Sequence, residues 1–492
     1  MIEKKVVIVG AGISGLRCAQ KLHESGKFEK DEIIILEARG RCGGRIFTVD
    51  GVKSRYDLGA SWHHDTLSNP LFKEEAALGK SKFVFDDDFT MMVDAHGDVK
   101  SFDSDLKLEI LKEECNKFIE NEFYSSLEYQ DVSYFEMINR YIFDRKEFLS
   151  DKQILNLYKS IRNLELWHGI DWKNMSGKYA QVDNLGRNAL CMQYDSVINR
   201  IKDTIPSSNI KLNNPIEKIE RRGNKVIIDD EYQCDYCVVS VPQSVLNLSL
   251  LDGIKTKGKI AFIPPLNKDI QECFQKINYG ALGKVIFEFD NDWLCKNKKL
   301  YYMGTLANNE KSIINLIRNN NALSTDVAAK LNTLVPPYQD KQQAFDLMQF
   351  PLLICNYMGI SGTPALMILT QSPLTPHIEE TYQKHGSLAI NEMFAPVLDL
   401  LFTKLNPQGP EKSSPKIINT IVSDWTLDPY SRGSYTACFP GDDPLDLSIM
   451  MERGQDSRIR FAGEHTINDG TGATYGACMS GEREAAYIAE RY

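Results

Sequence analysis

The residues best suited to chemistry in this chain lie near its two ends and at one lysine between them. Gly10-Ala11-Gly12-Ile13-Ser14-Gly15 follows an apolar run at 4–9, and Glu37 closes a second one at 33–36. Glycines at this spacing suit a diphosphate. Gly10 permits the tight turn, Gly12 lets the backbone approach, and Gly15 lets the following helix (14–25) pack on its strand. Glu37 stands 22 residues after Gly15, where a carboxylate at a strand end accepts both hydroxyls of a ribose. Lys284 precedes Val285-Ile286-Phe287 in an apolar strand, where a cation is costly unless it has a partner. Far downstream, Arg460-Phe461-Ala462-Gly463-Glu464-His465 leads through Gly470-Thr471-Gly472-Ala473 into a terminal helix at 474–491. Two helix N-termini and two glycine runs would then address one dinucleotide, which points to FAD and redox chemistry. A strand–turn–helix without a ligand would not explain why Glu37 sits at a strand end.

For these residues to meet, segments far apart in sequence must fold onto one another. Residues 1–80 supply the first strands and the diphosphate loop. Residues 190–262 add a helix at 194–204 and strands at 210–212, 225–228 and 236–241. Residues 440–492 close the unit with a strand at 459–461 and the last helix. The expectation is an α/β protein with a discontinuous, Rossmann-like FAD-binding domain made of these three pieces. The insertions 81–189 and 263–439, rich in aromatics and helical patterns, would form a mixed sheet-and-helix substrate-binding domain. The flavin ring would lie at the boundary, where concave sites concentrate. The stretch 319–341, opening on Asn319-Asn320-Asn321 and containing Pro336-Pro337, reads as a polar surface excursion.

Composition sets limits. A chain of 492 residues with 42% hydrophobic and 25% charged residues can bury a large core and form two domains. No run of eighteen apolar residues occurs, so no membrane helix is expected. The apolar residues after Lys4-Lys5 are too few for a signal peptide and already belong to the nucleotide fold. The net charge of −10, from 57 basic and 67 acidic residues, argues against nucleic acid and suits a cationic substrate, though solubility alone accounts for such a balance. Eleven cysteines, odd in number and scattered, fit a reducing compartment. Cys234-Asp235-Tyr236-Cys237 runs into a buried strand with no second CxxC at zinc-ribbon spacing, so these thiols read as packing. The eight histidines include no HExxH pair, and no metal is expected.

Beyond Glu37 comes Ala38-Arg39, then Arg41-Cys42-Gly43-Gly44-Arg45, a second close backbone approach flanked by guanidinium groups. This pattern resembles the flavin-dependent amine oxidases. The stretches 57–65 (Asp57-Leu58-Gly59-Ala60-Ser61-Trp62-His63-His64-Asp65), 165–169, 280–287 and 428–435 are similar to the fungal polyamine oxidase type. The matches run from residue 6 to residue 486, so the resemblance covers essentially the whole chain. It implies the two-domain FAD-dependent amine oxidase fold. It also implies that Gly59, Ala60, Ser61, Trp62, Val241, Trp425, Gly463, Glu464, Ala473 and Thr474 join Gly10, Gly12, Ile13, Ser14, Gly15, Glu37, Ala38, Arg39 and Arg45 at the cofactor.

The same resemblance assigns the chemistry. Lys284 would act through a water at the reactive edge of the flavin. Tyr435 would stand against the flavin face with Ala473 as a small opposite wall, leaving room for a linear amine. Ser434 occupies the place of a cysteine that bonds flavin in monoamine oxidases, so FAD is expected to be non-covalent. His64 would influence protonation of the reacting nitrogen, and Asp87 would take a distal ammonium, although an aspartate run at 86–88 is also an ordinary solvated turn. Trp62, Trp167 and Tyr430 read equally as channel wall or as core. Cys478-Met479 departs from the bulkier or acidic residues usual beneath the flavin, which leaves substrate preference open.

The expectation is oxidation of spermine or an N-acetylated polyamine at a carbon next to a secondary amine, with oxygen as acceptor. The products would be a shorter amine, an aminoaldehyde and hydrogen peroxide. The alternative is a binder of a corticosteroid or other apolar ligand on the same flavoprotein fold. A histone demethylase fits less well, because neither a basic patch nor a long helical insertion is visible. A monomer or homodimer with neither nucleic acid nor membrane as partner is expected, and Glu490-Arg491-Tyr492 is no peroxisomal signal, so the default location is cytoplasmic.

Overall fold

In a computed structural model, residues 1–86, 89–93, 99–101, 106–125, 129–181, 185–306, 309–338, 345–405 and 415–492 are described, with backbone only at 89–93, 99–101 and 405. The elements that position the cavity are, in chain order, β1 (Ile2–Val9), α1 (Ile13–Glu24), β2 (Ile33–Leu36), β3 (Tyr232–Val239), β4 (Gly283–Phe289) and β5 (Leu300–Met303). They continue with β6 (Leu352–Asn356), β7 (Ala365–Thr370), α2 (Leu374–Leu405), β8 (Ile417–Val422), β9 (Ile459–Phe461) and α3 (Thr474–Ala489).

The first sheet has eight strands. β1 lies between β2 and β3, and β3 also pairs with β9, all in parallel. Val6 to Val9 are buried on both faces, which is why this stretch is a continuous β-branched run rather than an alternating one. The register levels the four strand ends: Val9 pairs with Leu36 and with Val239, and Val239 pairs with Phe461. Gly10, Glu37, Ser240 and Ala462 therefore leave the sheet side by side at its carboxyl edge, the place where open α/β sheets receive ligands. α1 and α3 pack backbone to backbone beside it. A Cβ on Gly481 would come within 2.2 Å of Ser14 O.

The second sheet has seven strands in the order β8, β4, β7, β6, β5, Phe89–Val93, Val99–Ser101. Its central strands are antiparallel, and Phe89–Val93 joins β5 in parallel. β4 is buried along its whole length, Lys284 included. A three-stranded piece pairs Trp62–His63 and Lys82–Phe85 with Ala189–Met192.

Three segments depart from expectation. The stretch 319–341 holds a helix, Thr325–Leu334, started by the Ser324 side chain, with Val327 and Leu331 buried four residues apart; residues 339–341 lie outside the described residues. That spacing puts both on one helix face, and polar neighbours hid it. Two strands of the first sheet, Lys218–Arg222 and Ala261–Ile263, were not expected. Cys234 and Cys237 are free and buried. Among the described residues, no helix is long and apolar enough to cross a membrane, and no group of three His, Cys, Asp or Glu is placed to hold a metal.

Candidate active site

A cavity of about 1080 Å³ runs from the carboxyl edge of the first sheet to one face of the second. Gly10, Gly12, Ile13, Ser14, Glu37, Ala38, Arg39 and Arg45 line one end, with Val241, Gly463 and Glu464 beside them. Gly59, Ala60, Ser61, Trp62, His64, Trp167, Lys284, Trp425, Tyr435, Ala473 and Thr474 line the remainder. Gly15 does not line it: a Cβ there would strike Gly10 O at 2.1 Å, so this glycine serves the turn itself. Asp87 lies outside the described residues.

The first end fits a dinucleotide by its own chemistry. α1 and α3 begin without a side-chain cap and without an acid in the first turn, so their first amides find no partner within the cap. Both starts, at Gly12 to Ser14 and at Ala473 to Tyr475, line the cavity, which makes them sites for negative charge. A Cβ at Gly12 would meet nothing within 4 Å and would project into the space where a phosphate belongs. Glu37 is held by the amides of Ala11 (2.7 Å) and Arg39 (2.8 Å), one on each oxygen, which fixes the carboxylate at the strand end. The residues present therefore fit FAD: α1 for the diphosphate, Glu37 for a ribose, α3 for the flavin end.

The arginines divide unequally. Arg39 lines the cavity but spends its guanidinium on Asp428 (2.7 Å) and Ser431 (2.7 Å). Arg45 bridges Ser434 O (2.8 Å) and Glu464 (3.0 Å). Burial pushes the Glu464 carboxyl up, but Arg45 and His465 outweigh it and leave it below the usual range. Arg41 is not among the lining residues; its guanidinium lies over the Phe47 ring and donates to Gly44 O at 2.9 Å. It braces the loop from behind. Cys478 and Met479 do not line the cavity either; they pack into the core beside α1, so neither would touch a bound substrate directly.

Lys284 reaches the cavity from β4. Its ammonium donates to Asp57 O at 2.8 Å, to Gly59 O at 2.5 Å and to Ser61 Oγ. Burial lowers its pKa to about 8, with Asp57 opposing. All three donors already meet protein oxygens, and the Ser61 hydroxyl, the one rotatable group among these acceptors, lies 3.3 Å from Asp57 O and 3.4 Å from Gly59 O. His64 Nδ1 lies 3.1 Å from Asn188 Oδ1, its ring 4.9 Å from that of Trp167, and burial lowers its pKa. His63 points away, to Tyr194. The Tyr435 hydroxyl donates to Trp167 O, and burial raises its pKa. A Cβ on Gly472 would stand 3.6 Å from the Tyr435 ring, so this ring lies against the glycine run that opens α3. Ser434 Oγ accepts the Leu282 amide at 3.0 Å.

The leucines and Tyr302 that stand beside Lys284 were not foreseen. Lys284 pairs with Leu369, Leu369 with Leu353, and Leu353 with Tyr302 across β4, β7, β6 and β5. Directly paired residues share a face, so these four form one row, and all line the cavity. Leu166, Leu282 and Leu300 join them. No local signal marks these leucines, because their meeting depends on strand register.

Known proteins resemble this chain over nearly its whole length. The family model described as flavin containing amine oxidoreductase matches residues 13–489. A corticosteroid-binding protein of Candida albicans is 33% identical over 99% of this chain and 96% of its own length. Polyamine oxidase 4 of Oryza sativa is 23% identical over 97% of this chain and 86% of its own length. The solved structure of cyclohexylamine oxidase from Brevibacterium oxydans superposes with a TM-score of 0.68 over 99% of both chains, at 16% identity, a likeness of fold.

Proposed function

Because the chain belongs to the flavin-containing amine oxidoreductase family, whose cofactor is FAD, we propose that it oxidises a linear amine, spermine or an N-acetylated polyamine, at a carbon next to a secondary nitrogen. Bound FAD supplies a two-electron acceptor for hydride from that carbon, which oxygen restores with release of hydrogen peroxide. The carbon–nitrogen double bond left on the substrate adds water and parts into an aldehyde and a shorter amine.

The chain's own residues prepare the amine. Only the neutral amine, with its lone pair free, can lose hydride. With Nδ1–H donating to Asn188, His64 keeps Nε2 as an acceptor for the ammonium proton, and its burial favours the neutral ring. Tyr435 and Ala473 would stand on either side of the amine, and Trp62 and Trp167 add apolar surface to the same cavity. Asp65, Asp86 and Asp469 among the lining residues favour entry of a cation. Ser434 offers no thiol, so FAD is held without a covalent bond. The sheet that holds β1, β2, β3 and β9 belongs to the cofactor domain in this reading, and the seven-stranded sheet with its helices forms the substrate domain.

The observation that carries the reading is convergence: Lys284, His64, Tyr435 and Ala473 line one cavity with Gly12 and Glu37. An anaerobic titration of the FAD-loaded protein tests it. Spermine or N-acetylspermine should bleach the visible flavin absorbance, and air should restore it with release of peroxide. A flavin that stays oxidised with both would sink the proposal. The leucine row supports a second reading, an apolar ligand such as a corticosteroid. Binding of a steroid by a protein whose flavin no amine reduces would establish that reading instead.

A further inference from the structure

Glu379, on α2, is 2% exposed, and nothing in the sequence singles it out. Its Oε1 accepts the Ser423 hydroxyl (3.0 Å) and the Trp425 amide (3.0 Å). Its Oε2 accepts the Thr426 amide (2.8 Å) and the Thr426 hydroxyl. All four donors are neutral, an uncommon provision for a buried carboxylate, which ordinarily demands a cation. Burial raises its pKa to about 7 against these hydrogen bonds. The charged neighbour is Asp424, which raises it further and is itself raised by burial and Asp428, while Arg39 and Arg41 pull Asp424 down.

The consequence lies one bond further on. Ser423 Oγ accepts the Lys284 amide (3.0 Å), and the Ser423 amide donates to Lys284 O (2.9 Å). The Trp425 indole donates to Leu58 O at 2.9 Å. Three consecutive carbonyls, Asp57, Leu58 and Gly59, are thus held by two side chains, Lys284 taking the outer pair and Trp425 the middle one. Both of those residues are fastened by their backbones to the Ser423–Trp425 segment, and that segment hangs on Glu379.

We propose that Glu379 is a positioning residue of the cofactor site, setting Trp425 and Lys284 against the backbone of residues 57–59 and so fixing the cavity wall there. The proposal rests on the FAD reading and is independent of which amine is oxidised. A protonated Glu379 presents one hydroxyl where two donors now arrive, so the wall should shift as this group titrates.

The test uses the full chain loaded with FAD. The wild-type flavin absorbance should change with a midpoint near pH 7, and Glu379→Gln should abolish that step while weakening FAD binding about threefold. Glu379→Ala, which strands four donors, should weaken it about thirtyfold. Trp425→Phe removes the indole donor to Leu58 O together with part of the buried ring and should weaken FAD about tenfold. Combined with Glu379→Gln it should do no more, since both changes act on one path. If Glu379→Ala does not fold, the Gln and Phe variants decide. A step near pH 7 that survives Glu379→Gln, as distinct from one near pH 8 that belongs to Lys284, or effects of Gln and Phe that multiply, would overturn the proposal. A wild-type protein that binds no FAD would overturn it together with the cofactor reading. Amine-inert flavin would leave the positioning readouts intact and count only against the substrate.

Discussion

Lys284 and Lys173 each spend three donors on protein oxygens: Lys284 on Asp57 O, Gly59 O and Ser61 Oγ, Lys173 on Asn332 O, Val335 O and Pro337 O. Burial depresses both, Lys284 to about 8 and Lys173 to about 7. Their surroundings differ. Lys173 takes carbonyls only, and it sits at the C-terminal end of the helix Thr325–Leu334, where a cation offsets the helix dipole and satisfies orphan carbonyls. Lys284 faces a cavity, and one of its acceptors is a hydroxyl that can reorient. Desolvation acts alike on both. On the proposed reading, what sets Lys284 apart from a structural lysine is its neighbourhood, not its burial.

Replacing each lysine by methionine is the severest test of that contrast. Lys284→Met should slow anaerobic flavin reduction by an amine about 10²- to 10³-fold, measured by stopped flow. Lys173→Met should leave that rate within about threefold but lower the unfolding free energy by about 3 kcal/mol, read by chemical denaturation. Slow reduction in the Lys173 variant would erase the distinction.

Stability against pH sharpens it. Both pKa values are depressed on folding from 10.5, so the unfolded chain binds more protons between the two values and stability rises with pH there. Relative to its methionine variant, the wild type should gain stability from about pH 7 upward for Lys173 and from about pH 8 upward for Lys284. Identical onsets in the two difference curves would count against the distinct environments. The smallest expected effect is that of Ser61→Ala. Losing one acceptor disfavours the ammonium, so the alkaline midpoint of flavin reduction should move down, with the rate changed about threefold. A midpoint that rises would place the hydroxyl in another role.

Much of the diphosphate end was legible in the sequence. Close backbone approach requires glycine, and the partners are neighbours along the chain, so Gly10, Gly12 and Glu37 announce themselves by spacing. Lys284 was legible as a misfit in an apolar strand. The helix Thr325–Leu334 was not, since Val327 and Leu331 are diluted by the polar residues around them. The place of Arg41 was not legible, because a guanidinium beside glycines looks the same in sequence whether it faces a ligand or, as here, the Phe47 ring.

The sequence by itself determined the family, the cofactor and the strand–turn–helix that begins the site, because those depend on residue type and local spacing. Tertiary structure alone decided that Leu369, Leu353 and Tyr302 stand beside Lys284, and that Glu379 holds Ser423, Trp425 and Thr426. A row across a sheet depends on register between strands that the chain keeps apart. A neutral cradle for a buried carboxylate depends on which backbone amides a distant loop presents, and neither relation leaves a trace in the order of residues.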